Sequence, residues 1–203
     1  ARARFAALGL ASDAVSFQRE APADLRYPVA LKILSPDLPH KTEVGGVVLD
    51  LRDAASVAEA HDAMLARVRA RAPTARIDGV LVSPMVSGGV EMIIGTKRDP
   101  IFGPVVLVGL GGIFAEVMQD VAVRPAPVDE AEAMAMLRSL KAFPVLDGAR
   151  GRPKADVRAL AAAMAALSRA AHELSGHVRA IDLNPVAVLP AGQGLRVLDA
   201  LVE

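Results

Sequence analysis

Between residues 27 and 47 an apolar strand pattern is interrupted by one lysine and then gives way to a polar loop that ends in a glycine pair. Val29-Ala30-Leu31-Lys32-Ile33-Leu34 reads as a buried strand, and Val47 to Leu51 as a second one. The connection is Ser35-Pro36-Asp37-Leu38-Pro39-His40-Lys41-Thr42-Glu43-Val44-Gly45-Gly46. Lys32 alternates with Ala30 and Leu34 on one face of its strand. It must reach solvent or meet an anion, because an unpaired buried ammonium is costly. An edge strand with Lys32 as a gatekeeper meets the same requirement. Gly45-Gly46 suits close approach of backbone to phosphate, and it suits an ordinary hairpin turn equally well. His40 is the only one of the four histidines in such a polar, glycine-flanked loop; it is either a solvated residue or a carrier of a phosphoryl group. His61 and His172 fall in helical patterns and read as packing or surface residues. His177 is expected to begin a strand.

The remaining pattern is a mixed order of strands and helices. A short helix is expected over residues 3–9. Asp53 suits the N-cap of a helix reaching about Arg71, with Val57, Met64, Leu65 and Val68 as its apolar stripe, His61 on the same face and Pro73 closing it. Strands are expected at 77–82, 90–96, 104–108 and 121–124, with Ser87-Gly88-Gly89 turning between the first two. Asp129 and Glu132 form a capping-box pattern for a helix carrying Ala133, Met134, Leu137 and Leu140 on one side. A loop over 144–153 precedes a long alanine-rich helix, about 154–175, with Val157, Leu160, Met164, Leu167 and Leu174 inward. Two antiparallel strands, 178–189 and 195–201, close the chain. This order predicts an α+β or mixed α/β fold rather than a regular Rossmann repeat.

Composition narrows the function. Lysine plus arginine and aspartate plus glutamate number 23 each, so the chain lacks the basic surface of a general nucleic-acid binder. It contains no cysteine, which excludes disulfides, zinc–cysteine sites and thiol catalysis and fits a cytoplasmic protein. The longest apolar run, 101–115, is too short and too broken by proline and glycine to cross a membrane. The opening Ala-Arg-Ala-Arg has no apolar core behind it and does not read as a signal peptide. The first residue is not methionine, so the chain is expected to be a trimmed one or part of a longer polypeptide.

Three more groups of residues suggest chemistry. Gly109-Leu110-Gly111-Gly112-Ile113-Phe114-Ala115-Glu116 follows an apolar strand and resembles a strand-to-helix anion turn, although its spacing is not the dinucleotide fingerprint. Asn184, in Asp182-Leu183-Asn184-Pro185, and Asp199 lie on the last two strands and are placed to face one site. An amide oxygen with a carboxylate suits magnesium, which takes few protein oxygens. Glu91 interrupts an apolar strand; it would join the metal set, bind nucleotide hydroxyls, or pair with Lys97 or Arg98. The charges on the two long helices read as solvated faces.

In order, Tyr27 to Lys32, Ser35-Pro36-Asp37, His40 to Val47, Gly79 to Val82, Gly88-Gly89-Val90-Glu91, Asp99 to Pro104, Gly109 to Gly112, Arg150 to Pro153, Asp182 to Pro185 and Leu198-Asp199-Ala200 resemble one family. It is the ATP-grasp domain of nucleoside-diphosphate-forming acyl-CoA synthetases, which includes the ADP-forming acetate–CoA ligases; the β-subunit of succinyl-CoA synthetase is more distantly similar. The resemblance implies an ATP-grasp fold over 1–203, with nucleotide between two α+β lobes, about 20–85 and 86–203. It implies that Lys32 contacts phosphate, Gly45 and Gly46 cover the phosphates, and Ser83, Met85 and Val86 form the hinge beside adenine. Glu91 would lie near ribose or phosphates, and Asn184 and Asp199 would bind Mg2+. His40 would be the catalytic phosphohistidine that exchanges a phosphoryl group with ADP or ATP. The implied activity is that of an acid–thiol ligase. The CoA-binding and ligase parts are absent, so a hetero-oligomer or a fused polypeptide is expected to supply them. Ser83-Pro84 departs from the family's usual glutamine-containing hinge. The competing expectation is a degenerate ATP-grasp domain used as a regulatory or assembly module, for example of a protein acetyltransferase.

Overall fold

The computed structural model describes residues 14–17, 22–38, 40–112 and 120–203. The helix expected over 3–9, Pro39, and the segment Ile113 to Glu116 lie outside the described residues. The chain divides between Ser87 and Gly88 into two units, each with its own core.

In the first unit the lysine strand is interior. Strands β1 (Val15–Phe17), β2 (Val29–Leu34), β3 (Val47–Leu51) and β4 (Gly79–Pro84) form an antiparallel sheet in the order β1-β4-β2-β3. Because β2 pairs on both sides, the gatekeeper reading of Lys32 as an edge residue is incorrect. The alternation in β2 has its expected period. Val29, Leu31 and Ile33 are fully buried, while Lys32 and Leu34 on the other face are half-buried.

The buried face packs on helix α1 (Ala54–Arg71). Asp53 starts this helix: its carboxylate accepts from Ser56 N–H at 2.7 Å, and Ser56 Oγ accepts from Asp53 N–H at 3.3 Å. Val57, His61, Met64 and Val68 are its buried stripe, at helical spacing. His61 stacks on Phe17, with ring centroids 5.4 Å apart, and its Nδ1 lies 2.9 Å from the Asp62 carboxylate. It is therefore a core residue.

The second unit is built on β5 (Val90–Asp99), β6 (Gly103–Leu110), β7 (Val121–Pro125), β8 (Ala180–Val188), β9 (Leu195–Val197) and β10 (Ala200–Val202). The order is β10-β8-β5-β6-β7, with β9 on the other half of β8's free edge. The expected single last strand is thus split at Leu198-Asp199, where the chain steps between two pairings with β8. The β5–β6 turn is closed by Asp99, whose carboxylate accepts from Ile101 and Phe102 N–H at 2.8 and 2.9 Å.

Helices α2 (Glu130–Ser139) and α4 (Val157–Glu173) cover one face of this sheet. Asp129 caps α2 through Glu132 N–H at 2.7 Å. The buried stripe of α2 is Ala133, Met136 and Leu137; Met134, expected inward, is only partly buried. Residues 144–153 are not a plain loop. The short helix α3 (Phe143–Leu146) runs into them and a 3-10 turn follows at Ala149–Gly151, so that Leu146 enters the core. His177 precedes β8 instead of beginning it, and His172 is exposed near the end of α4.

Asp156 joins α4 to the β8–β9 hairpin. One oxygen accepts from Ala159 N–H at 3.1 Å, and the other from Gly192 and Gly194 N–H at 2.9 Å each. These bonds, first that from Gly194 and then that from Ala159, hold its carboxyl below the ordinary value. A lowered folded-state pKa stabilises the fold fully above the unfolded value, and the stabilisation is lost as pH falls through the folded value. Asp156→Ala is expected to cost about 2 kcal/mol at neutral pH, from the lost cap and the stranded hairpin donors. In thermal melts the difference from wild type should shrink as pH is lowered below about 4.

Candidate functional site

The first unit presents a loop whose carbonyls are folded back. From His40 to Gly46, His40 C=O accepts from Glu43 N–H at 3.2 Å, Thr42 C=O from Gly45 N–H at 3.0 Å and Lys41 C=O from Gly46 N–H at 2.8 Å. Gly46 C=O accepts from Ile33 N–H on β2 at 2.8 Å. Arg67 and Arg71 of α1 take two more: Arg67 Nε donates to Gly45 C=O at 3.2 Å, and Arg71 Nη1 to Glu43 C=O at 3.1 Å. With these carbonyls engaged, fewer of the loop's backbone acceptors are left to oppose an incoming anion.

Both positions also favour glycine for local reasons. Gly45 has φ +70°, and a Cβ there would lie 2.7 Å from Arg67 Cδ. A Cβ on Gly46 would lie 2.5 Å from Ile33 Cγ2 and 3.0 Å from Lys41 O. These local reasons for glycine do not compete with a phosphate role. His40, at the start of this loop, is exposed.

Lys32 pairs across the strands with Val47 and Leu81, and Ala30 pairs with Ser83. By alternation Lys32 and Ser83 share the sheet face turned away from α1. Met85 and Val86 are half-buried just beyond β4. Met85 N–H donates to Pro28 C=O at 2.8 Å and extends the ladder. Reading of a base edge by this segment would fall to its other backbone groups.

In the second unit Glu91 lies on β5, exposed and facing away from the helices, while its neighbour Met92 is fully buried. The second glycine loop closes on it. Gly111 N–H donates to Glu91 C=O at 2.8 Å, and a Cβ on Gly112 would lie 3.0 Å from Glu91 Oε2. A Cβ on Gly111 would lie 3.1 Å from the backbone of Glu91 and Met92, so glycine there permits the close approach, while Gly112 has φ +64°. Among the described residues Glu91 forms no ion pair with Lys97 or Arg98; the Arg98 guanidinium donates instead to Ser175 C=O.

Asn184 and Asp199 are neighbours. Asn184 N–H donates to Asp199 C=O at 3.1 Å, and Asp199 Oδ1 accepts from Ala200 N–H at 3.0 Å. Asp182, two residues before Asn184 on β8, belongs with them. Burial pushes its carboxyl above the ordinary value, and the charge of Asp199 pushes it further. The period of two along a strand connects Asp182 with Asn184, and that is the signal by which it was readable.

These oxygens fit a hard divalent cation, which would relieve the repulsion between Asp182 and Asp199. Among the described residues no cluster of three or more His, Cys, Asp or Glu side chains is arranged for a metal, so phosphate and water would supply the rest of the shell. A raised folded-state pKa costs stability as pH rises from the unfolded to the folded value. Without added cation, Asp182→Asn is therefore expected to raise the melting temperature at neutral pH, and to raise it less at pH 4.

Arg67 and Arg71 were not legible as site residues. Arginines on the polar face of a helix read as solvated, and only the tertiary fold brings the loop to them.

A sequence profile described as an ATP-grasp domain matches residues 7–203. The chain is 43% identical over 174 residues to an ADP-forming acetate–CoA ligase I of Archaeoglobus fulgidus, covering 86% of this chain and 25% of that protein. It is 37% identical over 179 residues to the β subunit of ADP-forming acetate–CoA ligase II of Pyrococcus furiosus, covering 88% of this chain and 76% of that subunit. It therefore spans a quarter of the single-chain relative and about three quarters of the separate subunit.

The fold matches acetyl-coenzyme A synthetase 1 of Ca. Korarchaeum cryptofilum, solved with coenzyme A and Ca-AMPCP, with TM-score 0.88, 36% identity and coverage of 100% of this chain and 90% of that one. Another structure of that enzyme holds coenzyme A and Mg-AMPPCP, with its phosphohistidine segment pointing towards the nucleotide-binding site (TM-score 0.79, 34% identity, 99% and 89% coverage). No helix among the described residues is long and apolar enough to cross a membrane.

Proposed function

Because this chain belongs to the ATP-grasp domain family, we propose that it is the nucleotide-binding, phosphoryl-transferring part of an ADP-forming acyl-CoA synthetase. The whole enzyme would convert acid, CoA and ATP to acyl-CoA, ADP and phosphate. A CoA-binding and ligase part, in a partner subunit or in the same polypeptide, would complete it. Both arrangements occur among the relatives, as a β subunit and as a single chain.

The observation that carries the reading is the His40–Gly46 loop, tied back by its carbonyls and bonded through Gly46 to the strand that carries Lys32. Lys32 would neutralise phosphate charge, and Gly45 and Gly46 would lie over the phosphates. The segment with Ser83, Met85 and Val86 would hold adenine, and Glu91 would contact ribose or phosphate. Asn184 and Asp199, with Asp182 beside them, would hold Mg2+, which neutralises charge on the nucleotide phosphates when bound.

In the ATP-consuming direction a neutral ring nitrogen of His40 attacks the γ-phosphorus. The bond from that phosphorus to the β,γ-bridging oxygen breaks, ADP leaves, and the ring proton passes to solvent. The product is a phosphohistidine, and the CoA-binding part would take its phosphoryl group onward.

The test uses γ-labelled ATP with magnesium. The folded chain is expected to acquire an acid-labile label that added ADP removes, and His40→Ala is expected to acquire none. Binding of nucleotide without labelling would remove His40 from the relay. Absence of nucleotide binding by calorimetry, with the fold intact, would favour a regulatory or assembly module. Ser83-Pro84 at the hinge is the feature that points towards that reading.

A further inference from the structure

We propose that Arg67 and Arg71 are positioning residues for phosphoryl transfer, setting from outside the loop the conformation in which His40 and the phosphate-covering glycines are presented. This rests on the phosphohistidine reading above.

The loop's internal hydrogen bonds engage the carbonyls of His40, Lys41 and Thr42, and β2 engages that of Gly46. The carbonyls of Glu43 and Gly45 have no acceptor role within the loop. They are taken by two guanidinium groups one helical turn apart on α1. Arg67 passes close over Gly45: a Cβ there would lie 2.7 Å from Arg67 Cδ and 2.8 Å from Nε, so a side chain at 45 would push the guanidinium off its carbonyl. The register matters as well. Val68, beside Arg67 on α1, is fully buried in the core, so the helix cannot slide to follow a displaced loop. The loop is thus held between β2 through Ile33 and α1 through the arginines.

If either clamp is released, the carbonyls of Glu43 and Gly45 are free to turn outward, towards the space a phosphate would take. The start of the loop then no longer has one position. A misplacement of about 1 Å at reacting atoms can cost about a hundredfold in rate. Neither arginine needs to touch nucleotide for this to hold.

The experiment compares wild type, Arg67→Met, Arg67→Lys and the double variant R67M/R71M. Methionine keeps much of the apolar stem and removes the donor, while lysine restores a charged donor. With γ-labelled ATP, the saturated rate of His40 labelling is expected to fall about tenfold in Arg67→Met and about a hundredfold in the double variant. The ATP concentration for half-maximal rate should change less than about threefold, because Lys32, Glu91, Asn184 and Asp199, which would hold most of the nucleotide, lie outside the loop. Arg67→Lys should recover most of the rate.

Hydrogen exchange of the peptide spanning 41–46 is the second readout and needs no phosphoryl transfer. Exchange there should rise in R67M/R71M while peptides from α4 stay unchanged. Unchanged exchange at 41–46 would overturn the inference whether or not His40 is labelled. Equal loss of rate in Arg67→Lys and Arg67→Met would overturn it too. Absence of label in wild type, with faster loop exchange in the double variant, would instead count against the phosphohistidine reading alone.

Discussion

Lys32→Met is expected to weaken binding of Mg-ADP about tenfold to a hundredfold and to leave the protein at least as stable as wild type. The two effects separate because of where β2 sits. Lys32 is on an interior strand, on the sheet face away from α1, with fully buried Leu31 and Ile33 beside it on the other face. A half-buried ammonium adds little to stability there, since its desolvation opposes its interactions. A charge-assisted contact to phosphate contributes about 1.5–3 kcal/mol, which gives the expected loss of affinity. Calorimetry with ADP and magnesium, and a thermal melt of the same samples, provide the check. An affinity within about twofold of wild type would mean that the lysine does not touch phosphate.

Gly46→Ala is expected to be costly on both counts. The added methyl would fall 2.5 Å from Ile33 Cγ2, and Ile33 is fully buried in the core of the first unit. It would also fall 3.0 Å from Lys41 O, the acceptor of Gly46's own N–H. Neither neighbour is the flexible end of a long side chain, so the loop itself must move. Overpacking of this kind costs about 1–3 kcal/mol, and here the bond from Ile33 N–H to Gly46 C=O is lost with it. The melting temperature should drop by several degrees and nucleotide affinity should fall as well. Gly88, whose Cβ would meet nothing within 4 Å, has positive φ but no such neighbour; Gly88→Asn is the control and should change stability little. Equal stability of Gly46→Ala and wild type would show that the loop is not packed against β2 as described.

Legibility differed by residue for definite reasons. β2, β3 and α1 were readable to within a residue or two because their apolar periods are unbroken and Asp53 is a strong cap. The region 144–153 was not. Its turn residues, glycine, proline and arginine, suggest a loop, whereas Leu146 reaches the core and draws Phe143–Leu146 into a helical turn. The stripe of α2 differs from the expected one at a single residue. Met134 and Met136 are equally apolar, and only the surface the helix packs on chooses between them. The last strand was read as continuous because its apolar residues run on; its division at Leu198-Asp199 comes from pairing with two parts of β8.

The candidate site follows the same division. Chemical types and their order along the chain were local properties, and the amino-acid sequence alone determined them: a lysine in a strand, a glycine pair after a histidine, a glutamate in an apolar strand, an Asn-Pro step and a late aspartate. Those suffice for the α+β class and for the family resemblance, because apolar period and turn chemistry act over a few residues. What only the tertiary structure decided is which groups share a face and which groups hold others in place. Strand pairing made β2 interior and placed Lys32 and Ser83 on one face. It also brought Asp182 within electrostatic reach of Asp199. Helix packing brought two exposed arginines into hydrogen bonds with the loop's carbonyls. Such contacts join positions at least seventeen residues apart, and a periodicity of two or 3.6 carries no information about them.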